Sequence, residues 1–133
     1  MTLMAGTLAK QTSEIALQKA VDPRVKEFAG FEDAEQTTIA QVLTNTPNPP
    51  PVPLDARHAA VLSQLQTVSG PAFDQAYVQG QLAGHQELFG IQNAFLQGQP
   101  AMNTDSAHIA MLARTTIQMH LTMLRDIEAT LRG

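Results

Sequence analysis

The chain has 133 residues, a formal net charge of −4 and no cysteine, which is the profile of one folded, mildly acidic domain. The lack of cysteine excludes disulfides, thiolate nucleophiles and cysteine-ligated zinc or iron–sulfur centres. Eight scattered Lys and Arg, with one Tyr and no Trp, exclude nucleic acid as an expected partner. No apolar run reaches the length of a transmembrane helix, and the first residues lack the pattern of a signal peptide.

The first predicted elements are two helices. Residues 2–20 form the first, which ends before the sequence VDP. Residues 23–43 form the second, because Asp22 can accept hydrogen bonds at its N-terminus and Pro23 suits its first turn. Strand signals are missing, since β-branched residues nowhere alternate with polar ones over the length of a strand. The chain is therefore expected to be all-α.

A proline-rich segment separates the first helical pair from the rest. Residues 44–54 contain five prolines, so an extended crossing is expected there. A short helix is predicted at 55–68, followed by long helices at 71–97 and 104–132. Four long helices with a long connection between the second and third predict one domain, residues 1–133, folded as a ferritin-like up-down four-helix bundle with a short extra helix in the crossing.

Polar side chains interrupt the apolar faces of three long helices when each residue is rotated by about 100° around the helix axis. They are Glu32 and Gln36 with Glu35 at the margin in 23–43, Asp74, Gln81, His85 and Gln92 in 71–97, and His120 in 104–132. Each such group needs a partner, because an unpaired buried polar group costs about 1–3 kcal/mol. These three helices are expected to direct polar side chains toward the bundle axis.

Two interpretations of these inward polar groups stay open. In the first, Glu32, Glu35, His85 and His120 form a site for a divalent metal ion. In the second, the same side chains form a metal-free hydrogen-bonded core with Gln36 and Gln81, and no cofactor is needed. A di-iron centre is not expected, because such bundles use Glu-x-x-His on two helices and neither inward histidine follows a Glu at that spacing.

The last predicted helix repeats His-x-x-Met, at His108/Met111 and at His120/Met123. The copies are 12 residues apart, which turns the second by about 120° from the first, so they cannot share one site. Thioethers suit copper(I), but methionine fills cores far more often. His120 is expected near the centre of an apolar arc that also includes Leu112.

Motifs of catalysis are missing. The sequence has no glycine-rich phosphate loop, no Ser/His/Asp order and no nucleophile elbow, so an enzyme is not favoured. A binding or structural module is the competing class, with the proline-rich crossing (Pro47 to Pro53) and exposed glutamines as its surfaces. Its protein partner is unspecified, and a second copy of the chain is one option.

Two sequence segments carry a family resemblance. They are EIALQKAVDPRVKEFA (Glu14 to Ala29) and LDARHAAVLSQLQTVSGPAFDQAYV (Leu54 to Val78), with His85, Phe89 and His120 continuing the match. Together they resemble a bacterial family of ferritin-like domains of unknown function, often labelled as outer-membrane or periplasmic proteins. The similarity extends from about Leu3 to Leu131. It implies a four-helix core and an exported protein, periplasmic or secreted, with the cytoplasm as the alternative.

The resemblance also implies where polar residues of the family would stand. An acidic–His pair usual in the second helix of the family corresponds to Glu35 and Gln36, so the histidine is replaced by glutamine. Acidic residues usual in the first helix correspond to positions near Ala9 and Gln11. The Asp usual before the histidine of the third helix corresponds to Gly84. These departures weaken an inherited metal site. The favoured function is therefore a non-catalytic structural or interaction role in the bacterial envelope, with a divergent bundle binding iron, manganese, zinc or copper as the alternative.

Overall fold

The computed structural model describes residues 1–133 and contains five helices and no strand. The helices are α1 (Thr2–Lys19), α2 (Pro23–Thr44), α3 (Ala56–Thr67), α4 (Gly70–Gln97) and α5 (Asp105–Arg132). The all-α prediction is confirmed, and every predicted helix end falls within one residue of the observed end. None of the five helices combines the length and hydropathy that crossing a bilayer requires.

Local side-chain chemistry sets the helix ends. The Asp22 carboxylate accepts a hydrogen bond from the Arg24 amide at the start of α2, where Pro23 fills the first helical position. Thr104 caps α5 in the same way by accepting from the Ala107 amide. At the end of α2, Asn45 adopts a left-handed conformation with φ 52°, which closes the helix before the proline-rich crossing.

The four long helices pack in neighbouring pairs around a shared core. The α4–α5 and α1–α2 contacts are the most extensive, α1 also packs on α4, and the α2–α5 seam is looser. Aromatic side chains dominate the larger part of the core, in which Phe28, Phe73 and Tyr77 are almost completely buried. Burial of such side chains is the main source of stability in a domain of this size.

The short helix α3 is fastened to α4 by a buried histidine. His58 lies 2.6 Å through Nδ1 from Asp55, which caps α3, and 3.2 Å through Nε2 from Glu87 on α4. Arg57 also contacts the Glu87 carboxylate at 2.9 Å. His58 is buried, so it packs between the two helices rather than lying at the surface.

A carboxylate on α4 fastens the turn between α1 and α2. Asp74 is 2% exposed and accepts hydrogen bonds from the backbone amides of Val21 and Asp22. Both amides lie just before the first residue of α2, so the helix offers them no hydrogen-bond acceptor. Asp74 thus fixes the position of α2 relative to α4, the two helices that carry Glu32 and His85.

Candidate metal centre

Three buried side chains from three helices meet in the core. Glu32 of α2 is 0% exposed, His85 of α4 is 1% exposed and His120 of α5 is 5% exposed. Each lies at an inward position of its helix, as the rotation of the sequence predicted. The bundle therefore brings one carboxylate and two imidazoles together away from bulk water.

The facing atoms of this cluster form an almost equilateral triangle. Glu32 Oε2 lies 3.2 Å from His85 Nε2 and 3.2 Å from His120 Nδ1. The two ring nitrogens are also 3.2 Å apart. No other group of three carboxylate or imidazole side chains in the protein converges in this way.

The outer contacts of both rings determine where their protons lie. His85 Nδ1 is 2.8 Å from the backbone oxygen of Gln81, and because a carbonyl only accepts, Nδ1 carries the proton. His120 Nε2 is 3.4 Å from the Glu35 carboxylate, which likewise favours a proton on Nε2. In the neutral rings, the lone pairs of His85 Nε2 and His120 Nδ1 therefore face each other and Glu32.

The Glu32 carboxylate has one satisfied and one unsatisfied oxygen. Oε1 accepts a 2.8 Å hydrogen bond from the Gln36 side-chain amide one turn along α2. Oε2 is fully buried and accepts no hydrogen bond of acceptable geometry, although both imidazoles lie within 3.2 Å. When both rings carry their proton on the outer nitrogen, these three acceptor atoms repel one another, and a proton or a metal ion among them would remove the repulsion.

Electrostatic contacts set the charge of the cluster. Burial by itself raises the pKa of Glu32, but its contacts with His120, His85 and Gln36 outweigh burial and lower this pKa to about 2. Burial lowers the pKa of His85, and the Glu32 charge more than reverses this, so the pKa lies above its usual 6.5. Burial and the neighbouring Glu32 charge raise the pKa of Glu35.

The predicted site residues fall into two groups: those whose ligand atoms converge, and those that only support them. Glu32, His85 and His120 converge, whereas Glu35 contacts only the far nitrogen of His120 and is a supporting residue rather than a fourth converging ligand. A carboxylate at this place orients the imidazole. Gln81 supports His85 through its backbone oxygen, while its side-chain amide donates to Thr12 of α1.

The buried aromatic ring of Phe28 is part of the site. Its ring centre lies 5.9 Å from that of His85 and 5.3 Å from that of His120. Phe28 stands four residues before Glu32, so the two share one face of α2. This spacing is the signal that could have assigned the ring to the site.

The first helix contributes space rather than ligands. Gly6 faces Gln36, and a Cβ atom on this glycine would lie only 2.6 Å from Gln36 Oε1. Ala9 is buried nearby without a polar group. The expectation from the resemblance, that the acids of the first helix are replaced in this chain, agrees with a cluster built from α2, α4 and α5 alone.

Gly6→Ala should disturb the site through Gln36. The new methyl group must displace the Gln36 amide, which breaks its hydrogen bond to Glu32. If the cluster binds zinc(II), its affinity for the ion should fall by about tenfold, the lower range for loss of a supporting contact. Competition with a chromophoric chelator measures this change.

Gly90→Ala is the matched control, because it also lies inside a helix but has open space around its Cβ position. It should leave zinc(II) affinity unchanged and stabilise the fold by about 0.5–1 kcal/mol through helix propensity. Equal affinities for the two alanine variants would contradict a role of the Gly6–Gln36 contact in the site.

The fold is all-helical, and it encloses a carboxylate and two imidazoles at its centre. The protein is therefore a small helical domain with a polar core. Within this class, the chain belongs to the family described as a domain of unknown function (DUF4142), whose profile matches residues 2–127. No curated protein and no solved structure matches the chain. The resemblance noted from the sequence is thus confirmed at the level of a family of unknown function.

Proposed function

We propose that this protein binds one divalent transition-metal ion through Glu32 Oε2, His85 Nε2 and His120 Nδ1, within a ferritin-like arrangement of its four long helices. The observation that supports this most strongly is the triangle of facing nitrogen and oxygen atoms, with Glu32 Oε2 buried and unsatisfied. A cation at its centre would satisfy all three atoms together.

The distances between the three facing atoms suit a divalent metal ion in tetrahedral or octahedral coordination. Ligand atoms at about 2.0–2.2 Å from a tetrahedral zinc ion stand about 3.3–3.6 Å apart, and those of an octahedral ion at about 2.1 Å stand about 3.0 Å apart. The observed separations of 3.2 Å lie between these values. Small shifts of the side chains would accommodate either geometry.

The donor set selects the kind of metal. Two imidazoles with one carboxylate suit zinc or iron(II), whereas calcium and magnesium prefer all-oxygen sites. Manganese(II) and copper(II) also accept this donor set, with affinities that follow the usual order of divalent ions. The methionines do not favour copper(I), because Met102, Met111 and Met119 are exposed and Met123 packs against the apolar core.

A metal-free polar core is the second candidate function, and it corresponds to a structural or interaction protein. The lowered pKa of Glu32 and the raised pKa of His85 favour it, because an imidazolium–carboxylate pair also neutralises the cluster. A location in the bacterial envelope, which the resemblance implies, is part of our proposal in both cases.

Metal content and thermal stability test the proposal. Protein stripped with a chelator and supplied with zinc(II), or with iron(II) under anaerobic conditions, should retain one ion per chain after desalting. Its melting temperature should rise, since an ion present at about 100 times its Kd adds about 2.7 kcal/mol of stability. His85→Ala and His120→Ala should lose both effects, because each removes one of three ligands.

His108→Ala is the matched control, since His108 is exposed on the same helix as His120. This variant should bind the ion and gain stability as the wild type does. Wild-type protein that retains no ion and gains no stability with any of these metals would refute the proposal and leave the metal-free polar core. Binding that survives in both core variants would place the ion elsewhere.

A further inference from the structure

A small void lies beside His85, one of the three converging side chains. Its volume is ≈ 10 Å³, close to the smallest space that holds one water molecule. His85 lines this void directly. Glu35 and Gln36 also line it, and these are the side chains that contact His120 and Glu32. Of the three proposed ligands, His85 alone lines the void, and the other two contact side chains that line it.

A surface groove between α2 and α5 approaches the same void. The groove has a volume of ≈ 390 Å³ and opens to solvent. Glu35, Ile39, Ile109 and Ala113 line both the groove and the void. These four side chains therefore form the wall between them, at the loosest seam between neighbouring long helices.

We infer that the ion held by Glu32, His85 and His120 keeps one exchangeable coordination position, which takes a water-sized neutral or anionic ligand that enters through the α2–α5 groove. This inference depends on the proposed metal binding. Three protein ligands leave a four-coordinate ion with one position for an exogenous ligand, the arrangement of reactive rather than purely structural sites. The void provides space for a ligand of that size.

The wall of the void restricts the class of ligand. Half of the side chains that line the void are apolar, among them Ile39, Ile109 and Ala113, and the other half are polar. A void of ≈ 10 Å³ has space for about one water molecule and excludes organic substrates, so a narrow ligand of a few atoms must extend from the void toward the groove. The Glu35 carboxylate at the wall disfavours multiply charged anions.

Azide binding to the cobalt(II)-loaded protein tests this inference, because the visible spectrum of cobalt(II) reports its coordination. We expect azide to change the spectrum saturably, with one azide per ion. Ile39→Ala removes part of the wall between the groove and the void, so it should speed azide association several-fold in stopped-flow measurements. Ala113→Leu fills the void and should slow or abolish azide binding while cobalt(II) stays bound.

Val42→Ala is the matched control for Ile39→Ala, since Val42 lies on the same helix outside the groove. It should associate with azide at the wild-type rate. If Ala113→Leu does not fold, Ile39→Phe replaces it, because Ile39 is only half-buried and a ring can lie along the groove.

The outcomes separate the inference from the proposed function. Fully loaded protein whose spectrum ignores azide would overturn the inference alone, since the ion would then have a closed coordination shell. Equal association rates in wild type, Ile39→Ala and Ala113→Leu would also overturn it, by excluding this route. Failure of the wild type to bind cobalt(II) would overturn the proposed function, and this inference with it.

Discussion

The free energy of unfolding of the metal-free protein should be highest between about pH 4.5 and pH 6.5 and should fall on both sides. Glu32 controls the acid side. Its pKa is about 2 in the folded protein and 4.5 in the reference state, so its stabilisation is complete above pH 4.5 and is lost as the pH falls toward 2. This difference corresponds to about 3 kcal/mol, because one pKa unit is worth about 1.4 kcal/mol.

His85 controls the neutral side in the opposite sense. Its pKa is raised above 6.5 in the folded protein, so its stabilisation is complete below pH 6.5 and is lost as the pH rises through the folded pKa. Glu35 also makes stability fall as the pH rises. Its pKa is raised in the folded protein, so above pH 4.5 its carboxyl group loses its proton more readily in the unfolded chain, which favours unfolding. A bound metal ion should reverse this trend, because it requires neutral imidazoles and binds more tightly as the pH rises.

Urea denaturation from about pH 3 to about pH 9, with chelator present, measures this profile. Glu32→Gln should flatten both sides, because the charge that raises the pKa of His85 is removed together with the Glu32 titration. Glu27→Gln, an exposed change on the same helix, should keep the wild-type profile. If Glu32→Gln also kept that profile, the ion pair would not be the source of the pH dependence.

The helices were predictable because the sequence marks their ends. Asp22 with Pro23 and the Asp55 cap begin helices, and the prolines of the crossing prevent one long helix. The inward positions of Glu32, His85 and His120 followed from helical rotation alone. Both signals are local, so they do not depend on knowing which helices are neighbours.

Contacts between helices could not be predicted in the same way. Leu112 was expected in the apolar arc of the last helix, but the structure leaves it 69% exposed, and this expectation is wrong. The buried side of α5 begins instead with Ala107, Ala110 and Ala113. Leu112 instead lines the open groove at the loose α2–α5 seam, where no neighbouring helix covers it.

The supporting shell of the candidate site also depends on contacts across the fold. Gln36 was predicted in the polar core, but its link to Glu32 and its fit against Gly6 require the positions of α1 and α2. The proton positions on His85 depend on a backbone carbonyl, which carries no signature of residue type. A polar seam was therefore predictable, whereas the triangle of lone pairs was not.

Phe28→Ala should cause the largest loss of stability of any change considered for this protein, about 3–5 kcal/mol. Phe28 is 1% exposed and lies in the main core cluster, so truncation leaves a cavity that the surrounding helices cannot close without moving. Chemical denaturation followed by circular dichroism at about pH 6 measures this loss in the metal-free protein.

Phe31→Ala removes the same side chain three residues further along α2, where the ring is 58% exposed, and should change stability by no more than about 0.5 kcal/mol.

The comparison also tests the link between the core and the candidate metal site. Because Phe28 packs on both His85 and His120, its loss should free both rings to rotate and weaken zinc(II) binding, whereas Phe31→Ala should not. If Phe28→Ala weakened the fold but left zinc(II) affinity at the wild-type value, Phe28 would act as a core residue alone. The hydrogen bond from His85 to the Gln81 carbonyl and the contact of His120 with Glu35 would then be enough to orient the rings.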